Sequence, residues 1–158
     1  MIKLVRVDHR LLHGQVAFAW TKNLGADCIL IANDAVAKDK LRMAALKMAA
    51  PSGVKIVIKN IADSIQALHS GVTDKYNLMI ILESIKDVDI LTKEVSNIKT
   101  VNLGGVKAEE GKQQISMAVF VSPEEKDILR QMNDRGIYVE VKMVPEDKGQ
   151  NAINLINN

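Results

Sequence analysis

The chain has 158 residues, a length typical of one domain, with 47% hydrophobic and 3% aromatic residues and a formal net charge of +2. The nearly balanced charge gives no electrostatic reason to expect nucleic-acid binding, and a single cysteine excludes an intramolecular disulfide. No apolar run approaches the roughly 18 residues that a membrane span needs. We therefore expect one cytosolic domain over residues 1–158.

Seven short apolar runs, separated by amphipathic stretches, predict the strands of a sheet. They are IKLVRV (2–7), CILIA (28–32), VKIVI (54–58), LMIIL (78–82), IKTVNL (98–103), ISMAVFV (115–121) and IYVEVKMV (137–144). Most are nearly continuous Val, Ile and Leu, which is typical of parallel strands buried on both faces. The last run alternates with polar residues, which predicts a strand nearer the sheet edge, where a second copy could pair.

Amphipathic stripes between these runs predict core-facing helices. The stripes are Val16, Ala19, Trp20 and Leu24, ended by Gly25; Leu41, Ala44, Ala45 and Met48, ended by Pro51; and Ile61, Ile65 and Leu68, ended by Gly71. A weaker pattern covers 84–95, and SPEE (122–125) predicts the capped start of a helix that ends near Asp134. Strands that alternate with helices predict a doubly wound α/β domain, with helices on both faces of the sheet.

The loop after the first strand carries the strongest chemical signal. His13 directly precedes a helix that begins at Gly14 and Gln15, where free amides and the helix dipole favour an anion. Arg10 lies three residues upstream and Arg6 further back, and an arginine fork can hold phosphate oxygens. Because neutral imidazole is a competent nucleophile near pH 7, this pattern suits a histidine that accepts and passes on a phosphoryl group.

Asp8, in the same loop, could fix the His13 tautomer or hold an arginine. The residues alone leave other interpretations open. His13 could simply cap the helix, and on the residues alone we weigh this equally with a phosphoryl carrier. The domain could be a regulatory unit that holds an anion or small ligand without covalent chemistry. A hydrolase with His13 as base is less favoured because no GxSxG pattern is present.

Metal binding is disfavoured, although His9 and His13 have the i, i+4 spacing of a zinc pair, because Gly14 interrupts a helix there and no HExxH pattern occurs. We interpret Cys28 as an inert core thiol, and the Met-rich segment 42–50 as core packing. Asn33 and Asp34 are expected to cap the next helix. The paired glycines of NLGGVK (102–107) could flank an anion, but they are more often a turn.

The segment RVDHRLLHGQV (6–16) resembles the N-terminal signature of the IIB subunits of the mannose-fructose-sorbose family of the sugar phosphotransferase system. Further segments, ANDAVAKD (32–39), VNLGGVK (101–107), EGKQQIS (110–116), SPEEKDIL (122–129) and RGIYVEV (135–141), resemble family segments in the same order. The resemblance implies a mostly parallel seven-stranded sheet with helices on both faces, in a cytoplasmic subunit. At this subunit a phosphoryl group from a IIA domain would pass to a sugar that enters through the membrane subunits IIC and IID.

The resemblance also assigns roles to residues. It implies that Nδ1 of His13 is phosphorylated, that Arg10 contacts the phosphate, and that Asp8 is the family's loop aspartate, with no metal or diffusible cofactor. The position before Arg10 is often acidic in relatives, whereas here it is His9. We expect His13 to lie on a flat or slightly convex docking surface, where Leu11 and Leu12 could contribute unless they are buried.

Overall fold

The computed structural model describes residues 1–157, which contain nine strands and six α-helices. The strands are β1 (Ile2–Asp8), β2 (Cys28–Ala32), β3 (Lys55–Lys59), β4 (Leu78–Leu82), β5 (Thr100–Gly105), β6 (Gln113–Ser116), β7 (Val119–Val121), β8 (Tyr138–Val141) and β9 (Gln150–Asn151). The helices are α1 (Gly14–Leu24), α2 (Lys40–Met48), α3 (Ile61–Ser70), α4 (Ile85–Glu94), α5 (Pro123–Asp134) and α6 (Ala152–Ile156). Over residues 1–157, no helix combines the length and the apolar composition that crossing a bilayer requires.

Seven strands form one mostly parallel sheet in the order β3-β2-β4-β1-β5-β8-β9, in which β9 pairs antiparallel with β8. The sequence predicted the correct number of strands for this sheet, but one of the seven predicted runs is not part of it. The run 115–121 is not a strand of this sheet: it is interrupted by a turn and belongs to the antiparallel hairpin of β6 and β7. The seventh strand is β9, which lies opposite Glu140 and Val141 and so covers part of the edge predicted for pairing with a second copy.

The core divides into two clusters because alternate residues of each central strand point to opposite faces of the sheet. Helices α1 and α2 contribute Trp20 and Leu46 to one cluster, which includes Ile29 and Ile31 of β2. Helices α3 to α6 contribute to the other, which includes Leu30 of β2. Fully buried aliphatic strands between two helical layers explain why 3% aromatic residues are enough to build this core.

Helix α2 is turned differently from the prediction. The predicted core stripe faces solvent, because Leu41 is 83% and Met48 is 87% exposed and the two alanines between them are also exposed. Leu46 is buried instead, and Met43 packs partly against the same cluster. The interpretation of the Met-rich segment 42–50 as core is therefore wrong for Met48 and right for Met43.

The predicted capping box at the start of α5 is confirmed. The backbone amide of Glu125 donates to Ser122 Oγ at 3.1 Å, and the amide of Ser122 donates to Glu125 Oε1 at 2.9 Å. Two amides that the helix itself leaves unpaired are thereby satisfied.

The sheet topology places the end of β1 at a divergence of the chain. From β1 the chain proceeds to β2 on one side, whereas from β5, the neighbour of β1, it proceeds to β8 on the other side. Arg6 lies opposite Asn102, and Asp8 lies opposite Gly105, in the register of these two strands. Ligand sites of parallel sheets lie at the carboxyl ends of strands at such a divergence.

Candidate functional site

The loop between β1 and α1 places apolar side chains inward and polar ones outward. The amide of Leu11 donates to the carbonyl of Asp8 at 2.9 Å, which closes a tight turn. Leu11 has a φ of 59°, a conformation that strains a residue with a Cβ by about 1 kcal/mol or more. Leu11 and Leu12 are only 2% and 4% exposed, so they anchor the loop and do not contribute to a docking surface.

Asp8 is the centre of the site, and its side chain is fully buried. Its Oδ1 accepts hydrogen bonds from the backbone amide of Arg10 at 3.0 Å and from Arg10 Nε at 3.3 Å. Its Oδ2 accepts from Arg6 Nη2 at 3.1 Å and lies 3.0 Å from His13 Nε2. One carboxylate therefore brings together Arg6, Arg10 and His13, as the sequence suggested when it grouped these residues.

The surroundings of Asp8 keep its carboxyl group ionised. Burial by itself would raise the pKa of Asp8, but the hydrogen bonds from His13 and from the Arg10 amide and the charges of Arg6 and His13 outweigh burial, so the pKa lies below its ordinary value. Burial lowers the pKa of the Arg6 guanidinium, and the Asp8 carboxylate opposes that effect. An arginine stays charged even so, and the buried pair is therefore an ion pair.

The contact with Asp8 determines which nitrogen of His13 is free. An ionised carboxylate can only accept hydrogen bonds, so the neutral imidazole must carry its proton on Nε2. Nδ1 then has a free lone pair, and it makes no hydrogen bond within residues 1–157. The side chain of His13 is 24% exposed and its Nε2 is held by Asp8, so the imidazole has a fixed orientation at the protein surface.

The start of α1 lies directly beside this imidazole. His13 occupies the position before the helix with extended backbone, but its side chain makes no capping hydrogen bond. The alternative of a histidine that merely caps the helix is therefore not what the structure shows. The first helical amides, at Gly14 and Gln15, are left without a side-chain cap, and both residues are exposed. Such amides and the helix dipole can receive phosphate oxygens.

The two arginines differ in their access to solvent. The Arg10 side chain is 45% exposed, and only its Nε is engaged by Asp8, so its terminal nitrogens can reach a phosphate. Arg6 is 2% exposed, and its guanidinium is directed at protein acceptors below the site. The sequence predicted that Arg6 contacts the phosphate. The buried guanidinium is instead the ion-pair partner of Asp8.

Sequence reasoning missed the residues that hold Arg6. Asn102 Oδ1 accepts from Arg6 Nη1 at 2.7 Å, the carbonyl of Lys142 lies 3.3 Å from the same nitrogen, and the Trp20 ring lies 5.5 Å from Arg6 Cζ. Gly104 leaves the space that the guanidinium fills. The only feature of the sequence that pointed to this part of the site was the run NLGG (102–105). Its two glycines were considered as a turn that flanks an anion, but in the structure they leave space for the side chains of Arg6 and Asp8.

The second histidine of the loop is held differently. His9 Nδ1 lies 4.0 Å from Asp8 Oδ1, beyond hydrogen-bond distance, and this buried nitrogen has no partner within residues 1–157. His13 is thus the histidine that Asp8 orients. Within the same residues no group of three or more His, Cys, Asp or Glu side chains could hold a metal ion.

The other residues that the sequence singled out, Cys28, Asn33 and Asp34, stabilise the fold and lie outside the site around Asp8. Cys28 is a free thiol buried in β2, and burial raises its pKa, which agrees with an inert core cysteine. Asn33 Oδ1 accepts from the amide of Val36 and closes a short turn, whereas the next helix, α2, is capped by Asp39, whose side chain accepts from the amide of Arg42, so the prediction for Asn33 was wrong. Asp34 accepts from the amide of Ile61 and so binds the start of α3, two elements further on than predicted.

The chain is similar to a defined group of proteins over nearly its whole length. Residues 2–158 match the family described as PTS system sorbose subfamily IIB component. The fructose-specific EIIB component of Bacillus subtilis strain 168 is 30% identical over 157 residues, which cover 99% of this chain and 96% of that relative. The mannose-specific EIIAB component of Escherichia coli K12 is 33% identical over 99% of this chain and 49% of that relative.

A solved structure shares the fold. The crystal structure of the IIBSor domain of the sorbose permease from Klebsiella pneumoniae superposes with a TM-score of 0.94 at 30% identity. The superposition covers 99% of this chain and 96% of that chain, so the mostly parallel sheet and its surrounding helices correspond throughout.

Proposed function

The chain belongs to the sorbose subfamily of IIB components of the sugar phosphotransferase system, and we propose on that basis that it carries a phosphoryl group on Nδ1 of His13. The observation that carries this proposal is the 3.0 Å contact between His13 Nε2 and the buried Asp8 carboxylate, which leaves Nδ1 as the nucleophile. Residues 1–158 would act as one IIB domain.

The first step is an in-line transfer from a phosphohistidine of the donor. His13 Nδ1 attacks phosphorus, the new N–P bond forms as the donor's N–P bond breaks, and the donor imidazole leaves. The three phosphoryl oxygens would be held by the free end of Arg10 and by the amides of Gly14 and Gln15. Asp8 stabilises the positive charge that develops on the His13 ring, because its carboxylate already accepts from Nε2.

The second step transfers the phosphoryl group from His13 to a sugar hydroxyl. A sugar hydroxyl attacks phosphorus, an O–P bond forms as the bond to His13 Nδ1 breaks, and the hydroxyl proton leaves to a base. We assign that base to the membrane subunit that binds the sugar, because the carboxylate beside His13, Asp8, already accepts hydrogen bonds from Arg6, Arg10 and His13. His13 leaves this step as the neutral Nε2–H tautomer, ready for the next transfer.

The proposed donor is a IIA domain, and the proposed acceptor is a sugar bound by membrane subunits IIC and IID. The name of the Escherichia coli relative, EIIAB, joins a IIA and a IIB unit, and this chain covers 49% of that protein. We therefore expect a IIA partner for this chain, and we place the chain at the cytoplasmic side of the transporter.

The test is phosphoryl uptake followed by intact-protein mass. The protein is incubated with phosphoenolpyruvate, the general phosphocarriers and a cognate IIA, and we expect an acid-labile mass increase of one phosphoryl group. His13→Ala should abolish the increase, and His9→Ala, its matched neighbour in the same loop, should retain it. Phosphoramidate, a small donor that needs no docking, separates a reactive His13 from recognition of IIA.

Three outcomes would contradict the proposal. Labelling that persists in His13→Ala would place the phosphoryl group elsewhere. Reversible binding of inorganic phosphate without covalent labelling from any donor would favour the anion-binding regulatory domain. Steady release of phosphate from a phosphoester, dependent on His13, would favour a hydrolase.

A further inference from the structure

Asn102 lies in the middle of β5, is 4% exposed and uses both the oxygen and the nitrogen of its side-chain amide. Its Oδ1 accepts from Arg6 Nη1 at 2.7 Å, and its Nδ2 donates to the carbonyl of Lys142 at 3.0 Å. Arg6 Nη1 also lies 3.3 Å from that carbonyl. Asn102, Arg6 and the Lys142 carbonyl thus form a closed ring of contacts below the loop that carries His13.

We propose that Asn102 is a positioning residue of the phosphoryl transfer, which acts through Arg6 and Asp8 to hold His13 in the tautomer with a free Nδ1; this inference rests on the proposed role of His13. Asn102 does not touch the imidazole. Its effect passes through two buried contacts, from Asn102 to Arg6 and from Arg6 to Asp8, and reaches His13 by a third.

The geometry requires a fixed guanidinium. Arg6 Nη2 and His13 Nε2 both address the same oxygen of Asp8, Oδ2, at 3.1 and 3.0 Å. A rotation of the guanidinium would therefore change the environment of the oxygen that sets the His13 tautomer. Asn102 fixes the other terminal nitrogen of Arg6, while Gly104 and the Trp20 ring bound the space into which the guanidinium could turn.

The neutrality of Asn102 is as important as its hydrogen bonds. An amide oxygen accepts from Arg6 without adding a second negative charge, so Asp8 is the carboxylate paired with this buried cation. The titratable or charged groups around Asp8 are Arg6 from β1 and His9, Arg10 and His13 from the loop. A carboxylate at position 102 would compete with Asp8 for Arg6.

Two substitutions separate hydrogen bonding from charge. Asn102→Leu keeps the approximate volume but removes both contacts, and Asn102→Asp keeps the acceptor and adds a charge. The first readout is the tautomer of His13, from ring ¹⁵N shifts of labelled protein, which needs no phosphoryl donor. The second is the rate of phosphoryl uptake from phosphoramidate and from IIA as a function of pH.

We expect wild-type His13 to be almost entirely the Nε2–H tautomer when neutral, and Asn102→Leu to populate the Nδ1–H form and to slow uptake from both donors by about tenfold, as for outer-shell partners of metal-bound histidines. In Asn102→Asp the added negative charge should raise the pKa of Asp8, so the acid limb of the uptake profile should move to higher pH. If Asn102 had a purely structural role, these substitutions would change neither the His13 tautomer nor the acid limb of the uptake profile.

Asn33 provides a matched control. It is an equally buried asparagine, 3% exposed, which follows β2 and makes two hydrogen bonds, neither of them to Arg6. Asn33→Leu should lower the free energy of unfolding to a similar degree and leave the His13 tautomer unchanged. If Asn102→Leu does not fold, Asn102→Ser, which retains a small acceptor, gives the same comparison with a smaller tautomer change.

The inference is overturned if folded Asn102 variants keep the wild-type tautomer and acid limb and lose only stability. It is also overturned if the Asn33 variant changes the tautomer equally. Failure of the proposed function has a different signature: wild-type protein then takes up no phosphoryl group from either donor, whereas the tautomer comparison can still be made.

Discussion

Gly104 lies so close to Arg6 that a Cβ atom at this position would be 2.0 Å from Arg6 Cζ and 2.1 Å from Nη2. The guanidinium could not move away from such a Cβ atom without losing hydrogen bonds, because Asp8, Asn102 and the Lys142 carbonyl all accept from it. Glycine is therefore required at position 104 by the packing of a buried cation and not by its backbone conformation, because its φ does not lie in the left-handed region.

Gly104→Ala should consequently disturb the site from below. We expect the free energy of unfolding, measured in urea, to fall by about 1–3 kcal/mol, the usual effect of overpacking, and phosphoryl uptake to slow. A double-mutant cycle with Arg6→Met identifies the cause. If the clash with Arg6 is responsible, the two losses should sum to clearly more than the loss in the double variant, whereas additive losses would contradict it.

Asp8 should make stability depend on pH at the acid end. Because its pKa is lower in the folded protein than in the unfolded chain, its contribution is fully present above about pH 4 and is lost as the pH falls through the folded value. We expect Asp8→Asn to flatten this acid loss and to lower the free energy of unfolding at pH 7 by about 3 kcal/mol, because a buried Arg6 loses its counter-ion. The exposed Asp134→Asn is the control, and a wild-type acid profile in Asp8→Asn would refute the expectation.

Arg10 should affect transfer with little effect on folding. Its side chain is 45% exposed, so Arg10→Ala should change the free energy of unfolding by less than about 1 kcal/mol. Loss of its fork toward the phosphoryl oxygens should slow uptake by roughly 10²-fold, and Arg10→Lys should lie between, because it keeps charge without the fork. Rates from phosphoramidate are the measurement, and a wild-type rate in Arg10→Ala would remove this residue from the mechanism.

The sequence revealed those parts of the site that are set by local neighbours. Asp8, Arg10 and His13 lie close together in the sequence, from the last residue of β1 to the residue before α1, so their spacing alone brings them together. Asn102 is 96 residues from Arg6 along the chain, and only the pairing of β1 with β5 joins them. A residue whose role depends on strand register leaves no local pattern.

The errors in the fold have a similar origin. A run such as ISMAVFV (115–121) is equally apolar in a hairpin and in a parallel strand, and β9 has two polar residues with no strand pattern of their own. Helix α2 has apolar residues on two faces, and periodicity cannot decide which face meets the sheet. In the folded protein Met43 and Leu46 pack against the core, whereas the ends of the longer predicted stripe, Leu41 and Met48, are exposed to solvent.

The orientation of α2 gives a direct test in two matched leucines. Leu46 is 9% exposed and belongs to the cluster that contains Leu11 and Leu12, whereas Leu41, on the same helix, is 83% exposed. Leu46→Ala should lower the free energy of unfolding by about 2–4 kcal/mol through lost burial and a residual cavity, and Leu41→Ala should change it by less than about 0.5 kcal/mol. Both substitutions have the same effect on helix propensity, so their difference in urea unfolding reports burial alone. A larger loss for Leu41→Ala would mean that the predicted stripe faces the sheet after all. Because Leu46 belongs to the same core cluster as the two leucines that anchor the His13 loop, its substitution should also slow phosphoryl uptake, and Leu41→Ala should not.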